Sequence, residues 1–129
     1  MKIEINSLTY APEYPKEFVS RVEQIIAEVK KEWDAEKWDV DHTNSKYKGN
    51  RYNNKERILQ VILGNIRSSH ENEIRKNGAD WETANNESFA AAVEWSKHVT
   101  DEELKIIVNR ALEYSASADY WYTFEKEWD

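Results

Sequence analysis

Apolar residues recur along this chain at two periods, and the longer one dominates. Phe18, Val22, Ile25, Ile26, Val29 and Trp33 fall three or four positions apart, which aligns them on one stripe of a helix. This predicts a first helix starting near Pro15, since proline suits the first helical position, and running to about Glu36. Glu17 sits in its first turn, where a carboxylate suits the helix dipole.

Ile58, Leu59, Ile62, Leu63 and Ile66 mark a second helix, continued by His70 and Ile74. Asn53 and Glu56 are spaced as a capping box at its start. Asn77-Gly78 predicts its end, because glycine takes the left-handed conformation of a helix stop without steric penalty. Gly64 inside this helix costs about 1 kcal/mol relative to alanine, which a close helix crossing explains. A third helix is expected after Asn85-Asn86, carrying Phe89, Ala92, Val93 and Trp95 to about His98. A fourth follows Thr100, which with Glu103 forms another capping pattern, and buries Leu104, Ile107, Val108, Ala111 and Leu112.

The shorter period appears at the N-terminus. Ile3 and Ile5 alternate with Lys2, Glu4 and Asn6, as in a half-buried strand or extended arm. Pro12 and Pro15 break that segment. Residues 38–52 show no period and form a long connection that either has a function or hides a short element. The end of the chain is ambiguous: Tyr120, Phe124 and Trp128 are four apart, yet Tyr120, Tyr122 and Phe124 alternate. The absence of a turn residue after the fourth helix favours helix. Together these patterns predict an all-α or mainly α fold: about four helices around one core, with a short N-terminal strand or arm, in a single domain spanning 1–129.

Composition changes this picture in a few respects. Three Gly and two Pro are too few for a turn-rich β-sandwich or barrel. With no cysteine there is no disulfide frame and no thiolate site. No apolar run approaches a membrane span, and the first residues lack a signal-peptide core, so a cytoplasmic location without membrane contact is expected. Frequent Asn and Lys suit a low-GC bacterial or phage gene. The formal charge of −7 is uneven. Residues 1–42 hold six basic and ten acidic side chains, 43–79 eight and three, and 80–129 four and twelve. A basic centre between acidic ends implies either internal pairing or two surfaces of opposite sign.

Motifs for chemistry mostly fail. His70-Glu71 opens like a zinc-protease helix, but Ile74 stands where the second His belongs. Three isolated glycines build no phosphate loop, and there is no Gly-x-Ser-x-Gly elbow. No cofactor is implied and no catalytic residue is assigned. His70, alone on the apolar stripe, suits a hydrogen-bonded boundary residue. Asp39, Asp41 and His42 are the candidate metal ligands, two carboxylates and an imidazole on one loop, and would make the chain a metal-dependent enzyme. The alternative for that loop is simple turn chemistry.

Two stretches suggest binding. Lys46, Tyr47, Lys48, Arg51, Tyr52, Lys55 and Arg57 interleave charge with rings, as nucleic-acid-binding segments do. The overall acidity opposes this, and a basic loop paired with an acidic helix is the plainer account. The C-terminal group, Tyr120, Trp121, Tyr122, Phe124 and Trp128, follows Tyr114 and is rimmed by Asp119, Glu125, Glu127 and Asp129. Clustered aromatics with a polar rim suit a protein interface, although they would equally complete a core. The leading expectation is therefore a small acidic, non-enzymatic protein that binds a basic protein partner. A stoichiometric inhibitor, immunity or anti-defence protein has this profile. A nucleic-acid-binding accessory protein is the alternative.

Overall fold

The computed structural model describes residues 1–6, 10–33 and 55–128, with side chains through Ser115. Among the described residues four helices pack around one core: α1 (Lys16–Glu32), α2 (Lys55–Lys76), α3 (Trp81–Ser96) and α4 (Asp101–Trp128). No strand occurs among the described residues.

The first helix forms where the apolar stripe predicted it. Pro15 lies just before the first turn, and its carbonyl accepts the N–H groups of Phe18 and Val19. Phe18, Val22, Ile25, Ile26, Val29 and Trp33 are all buried. Trp33 caps the C-terminus of α1, and its indole N–H donates to Asn109 Oδ1 on α4 at 3.0 Å. The tryptophan therefore buries its ring without stranding its polar edge.

Helix α2 is central. Ile58, Ile62 and Ile66 face the apolar core, yet Val61, Gly64, Asn65, Arg67, Ser68 and Ser69 are buried as well. An amphipathic helix has one apolar stripe, so full enclosure requires neighbours on its other sides. One neighbour is α3, whose buried positions Ala84, Ser88, Ala92 and Ser96 succeed one another at single-turn spacing. These small side chains let two helix backbones approach closely, and the buried Gly64 and Ser68 of α2 are small in the same way. The other neighbour is the N-terminal segment.

The turn between α2 and α3 is built from local chemistry. Gly78 has φ 104°, the only positive φ among the described residues. Gly78 N–H donates to the Arg75 carbonyl and Ala79 N–H to that of Ile74, which closes the last turn of α2 as a Schellman motif. Helix α3 then starts at Trp81, not after Asn85-Asn86. Asp80 caps it by accepting the Thr83 N–H at 2.8 Å.

Helix α4 opens with the expected Thr100 cap, whose hydroxyl accepts the Glu103 N–H at 3.2 Å. It buries Leu104, Ile107, Val108, Ala111, Leu112 and Ser115. Arg21 of α1 clamps this start by donating to Asp101 and to the Val99 carbonyl. The helix continues for 28 residues, about 42 Å at the helical rise. The C-terminal aromatic segment is thus helical, which resolves the ambiguity of its sequence in favour of the four-residue spacing.

Candidate interaction surface

Residues 1–6 form an extended arm with the expected alternation: Ile3 is buried, Ile5 half-buried, and Lys2, Glu4 and Asn6 exposed. Its backbone finds hydrogen bonds on a helix instead of a sheet. Glu4 N–H donates to Ser69 Oγ at 3.0 Å. Asn6 N–H donates to Asn65 Oδ1 at 3.0 Å, while Asn65 Nδ2 donates back to the Asn6 carbonyl at 2.9 Å and to that of Val61 at 2.6 Å. The Asn65 amide therefore pairs with both backbone groups of one residue of the arm as a neighbouring strand would.

Tyr10 and Tyr14 contact α2 at other positions, Arg67 and Leu63. Arg67 Nε donates to the Tyr10 carbonyl at 2.8 Å, and Tyr14 Oη to the Leu63 carbonyl at 2.8 Å. Burial pushes the Tyr14 phenol well above its usual pKa, with Arg67 opposing, so the hydroxyl stays a donor. Arg67 is only 3% exposed. Its guanidinium also reaches Ser88 Oγ at 3.1 Å and Asn85 Oδ1 at 3.5 Å on α3, and lies 5.0 Å from the centre of the Phe89 ring. Glu71 faces it at 3.7 Å. One buried cation thus joins the N-terminal segment, α2 and α3.

Two large aromatic residues stand in solvent beside this seam. Tyr10 is 71% and Trp81 61% exposed. Trp81, Asn85 and Phe89 follow each other one turn apart on α3, and Arg67 ties the Tyr10 backbone to that stripe. Asp80, Glu82 and Glu87 are exposed on the same helix end and beyond it. Neither Tyr10 nor Trp81 was singled out from sequence. The available signal was Trp81 itself, an aromatic directly after a capping Asp, at a position that the first turn of a helix leaves open to water.

Three clefts run along the arm. One of about 520 Å³ separates it from the end of α2, lined by Met1, Lys2, Glu4, Ser69, Glu73 and Lys76 among others. Two more, of about 480 and 420 Å³, lie between the arm and α4 and share Lys2, Ile3 and Arg110. Trp95 and the exposed Ile106 line the last of these.

His70 is a half-buried boundary residue. Its Nδ1 is 2.7 Å from the Ile66 carbonyl, which makes that nitrogen the N–H donor, and its ring meets Trp95 edge-on at 5.9 Å. Burial lowers its pKa, against the Ile66 hydrogen bond and Glu73.

The candidate metal ligands Asp39, Asp41 and His42 lie outside the described residues. So do Lys46, Tyr47, Lys48, Arg51 and Tyr52. Of the basic-aromatic segment, Lys55 pairs with Glu23 of α1 at 3.7 Å, and Arg57 also has a partner. Tyr120, Trp121, Tyr122, Phe124 and Trp128 share the last turns of α4 by register, but their side chains fall outside the description. Among the described residues no group of three or more His, Asp or Glu could hold a metal ion, and no helix is long and apolar enough to cross a membrane. No protein-family model, curated protein or solved structure matches the chain.

Proposed function

We propose that this chain acts by binding a basic protein partner. The observation that supports this reading best is the exposure of two large rings, Trp81 on the helix that Arg67 contacts and Tyr10, whose carbonyl Arg67 holds. A solvent-facing tryptophan loses about 2 kcal/mol or more of potential burial energy, and such rings serve as interface anchors. Carboxylates of Asp80 and Glu82 flank Trp81, so a Lys or Arg stem laid over the indole meets both a π face and a rim of opposite charge. The net charge of −7 steers a cationic partner toward the chain. Tyr120, Phe124 and Trp128, four residues apart in the sequence of α4, have the spacing of a second set of anchors in the helix-in-groove manner. Inhibitor, immunity and anti-defence proteins act through surfaces of this kind.

The test is affinity capture by the full chain from its own source, with Tyr10→Ser/Trp81→Ser and Tyr120→Ser/Phe124→Ser/Trp128→Ser variants in parallel. The reading expects a basic protein held by the unmodified chain, released by raising salt to about 0.5 M, where exposed charges are screened, and lost with at least one variant. A partner retained by both variants counts against it, as does capture of nucleic acid in place of protein.

A further inference from the structure

The docked arm leaves one buried hydroxyl proton uncommitted. Ser69 is 4% exposed, and its Oγ accepts the Glu4 N–H. Among the described residues its own O–H donates to nothing. A buried donor of this kind calls for an acceptor from outside the fold, water or a ligand. Ser69 lines the cleft of about 520 Å³ between the arm and the end of α2, and an acceptor placed there reaches it.

Charge distinguishes this cleft from a water pocket. Lys2 stands on the arm wall, and Arg75 and Lys76 stand on the last turn of α2. Among the described residues none of these three side chains has a hydrogen bond or an ion pair. Unpaired cations gathered on one cleft run against the net charge of −7 and focus a local positive field. The carbonyls at the end of α2 oppose an anion, but the Gly78 and Ala79 amides occupy two of them. The carboxylates of Glu4 and Glu73 share the cleft, so its ligand carries donors as well as negative charge. No ring and no branched aliphatic side chain lines the space. A nucleobase or an apolar tail therefore has no surface to lie on.

The walls are fixed in advance. Ser69, Glu73 and Lys76 follow one another at helical spacing on one face of α2. Lys2 and Glu4 alternate with Ile3, which is buried in the core. That burial and the Glu4–Ser69 hydrogen bond hold arm and helix together, so a ligand meets a cleft already formed.

We propose that this cleft binds a small phosphorylated sugar. The phosphate lies against Lys2, Arg75 and Lys76 and accepts the Ser69 O–H, a charge-assisted hydrogen bond. The carboxylates of Glu4 and Glu73 accept from the sugar hydroxyls. The site is separate from the Trp81 surface and does not depend on it.

The test titrates the purified full chain at low salt with glucose 6-phosphate, glucose and inorganic phosphate, by calorimetry and amide NMR. Glucose 6-phosphate should bind about tenfold or more tighter than inorganic phosphate, glucose should not bind, and the shifted amides should include those of Glu4, Ser69 and Lys76. Arg75→Gln/Lys76→Gln alters two exposed side chains, so the thermal midpoint should hold while affinity falls about tenfold or more. Lys31→Gln/Lys105→Gln, at exposed positions of α1 and α4, removes the same charge elsewhere and should leave affinity unchanged. No binding of glucose 6-phosphate at about 10 mM, weaker than any useful affinity, overturns the proposal. Equal losses from the two variant pairs also overturn it, because the effect is then one of net charge. Inorganic phosphate bound as tightly as glucose 6-phosphate overturns it as well, because the cleft then reads any anion and no sugar.

Discussion

Asn65 shows how a single polar side chain in a buried position carries structure. Its amide bonds the Asn6 N–H, the Asn6 carbonyl and the Val61 carbonyl, and all of that is lost with Asn65→Ala. Removing one partner from a buried pair leaves the other unsatisfied, so urea unfolding should show a loss of about 2 kcal/mol. Tyr14→Phe is the matched control: it removes one hydroxyl bond to Leu63, keeps the ring, and should cost about 1 kcal/mol. His70 makes a prediction of a different kind. Its folded pKa lies below the unfolded value of about 6.5, so the unfolded chain binds more protons between the two values. Stability is therefore full above about pH 6.5 and declines as pH falls toward the folded pKa. Urea midpoints compared at pH 7 and pH 5 should fall more for the unmodified chain than for His70→Gln. An equal fall in both would remove His70 as the cause. The residue's character was legible, because a lone His on an apolar stripe points to a boundary site. Its partner Trp95 was not, because that contact joins two helices with no local signature.

Elements were legible where local chemistry decides them. The stop at Gly78 follows from backbone conformation alone: nothing lies within 4 Å of the position a Cβ would take there, so Gly78→Ala is strained only through its φ. It should cost about 1 kcal/mol, read as a drop in thermal midpoint. The start of α3 lies ahead of the expected one because Asn85 and Asn86 have poor helix propensity and look like a loop. Tertiary contacts override that: Asn85 meets Arg67, and Ala84 and Ser88 pack inward. The real start carried its own signal in Asp80 and Thr83. The Thr83 N–H holds the Asp80 carboxyl below its ordinary pKa, so this cap is present above the usual carboxylate range and is lost as pH falls through the lowered value. Asp80→Ala should lower the thermal midpoint at pH 7 and make little difference near pH 2. The arm's partner was invisible for a related reason. Asn65, Arg67, Ser68 and Ser69 interrupt an apolar helix, and periodicity registers such residues as noise, not as a docking face.

At the scale of the whole molecule, Arg67 does what no sequence-local feature can. It links the carbonyl at Tyr10, its own helix at Glu71, and Asn85, Ser88 and Phe89 on α3. The charge asymmetry of the sequence foreshadowed some pairing between its segments, and Lys55–Glu23 is of that kind. That pair is exposed and worth well under 1 kcal/mol, whereas the buried guanidinium is different in kind. A buried cation is retained only because it is fully partnered, and breaking its ion pair strands a carboxylate in a desolvated place. Arg67→Met preserves bulk and removes the charge, so it should cost about 3 kcal/mol, with the arm, α2 and α3 all affected. Glu71→Gln added to it removes the stranded charge. The double variant should then recover about 1 kcal/mol relative to Arg67→Met, a coupling that a double-mutant cycle in urea isolates. With Glu71→Gln alone as the remaining corner of the cycle, a coupling of zero would mean that the ion pair contributes nothing, and that Arg67 holds the molecule together through its neutral partners, the Tyr10 carbonyl above all.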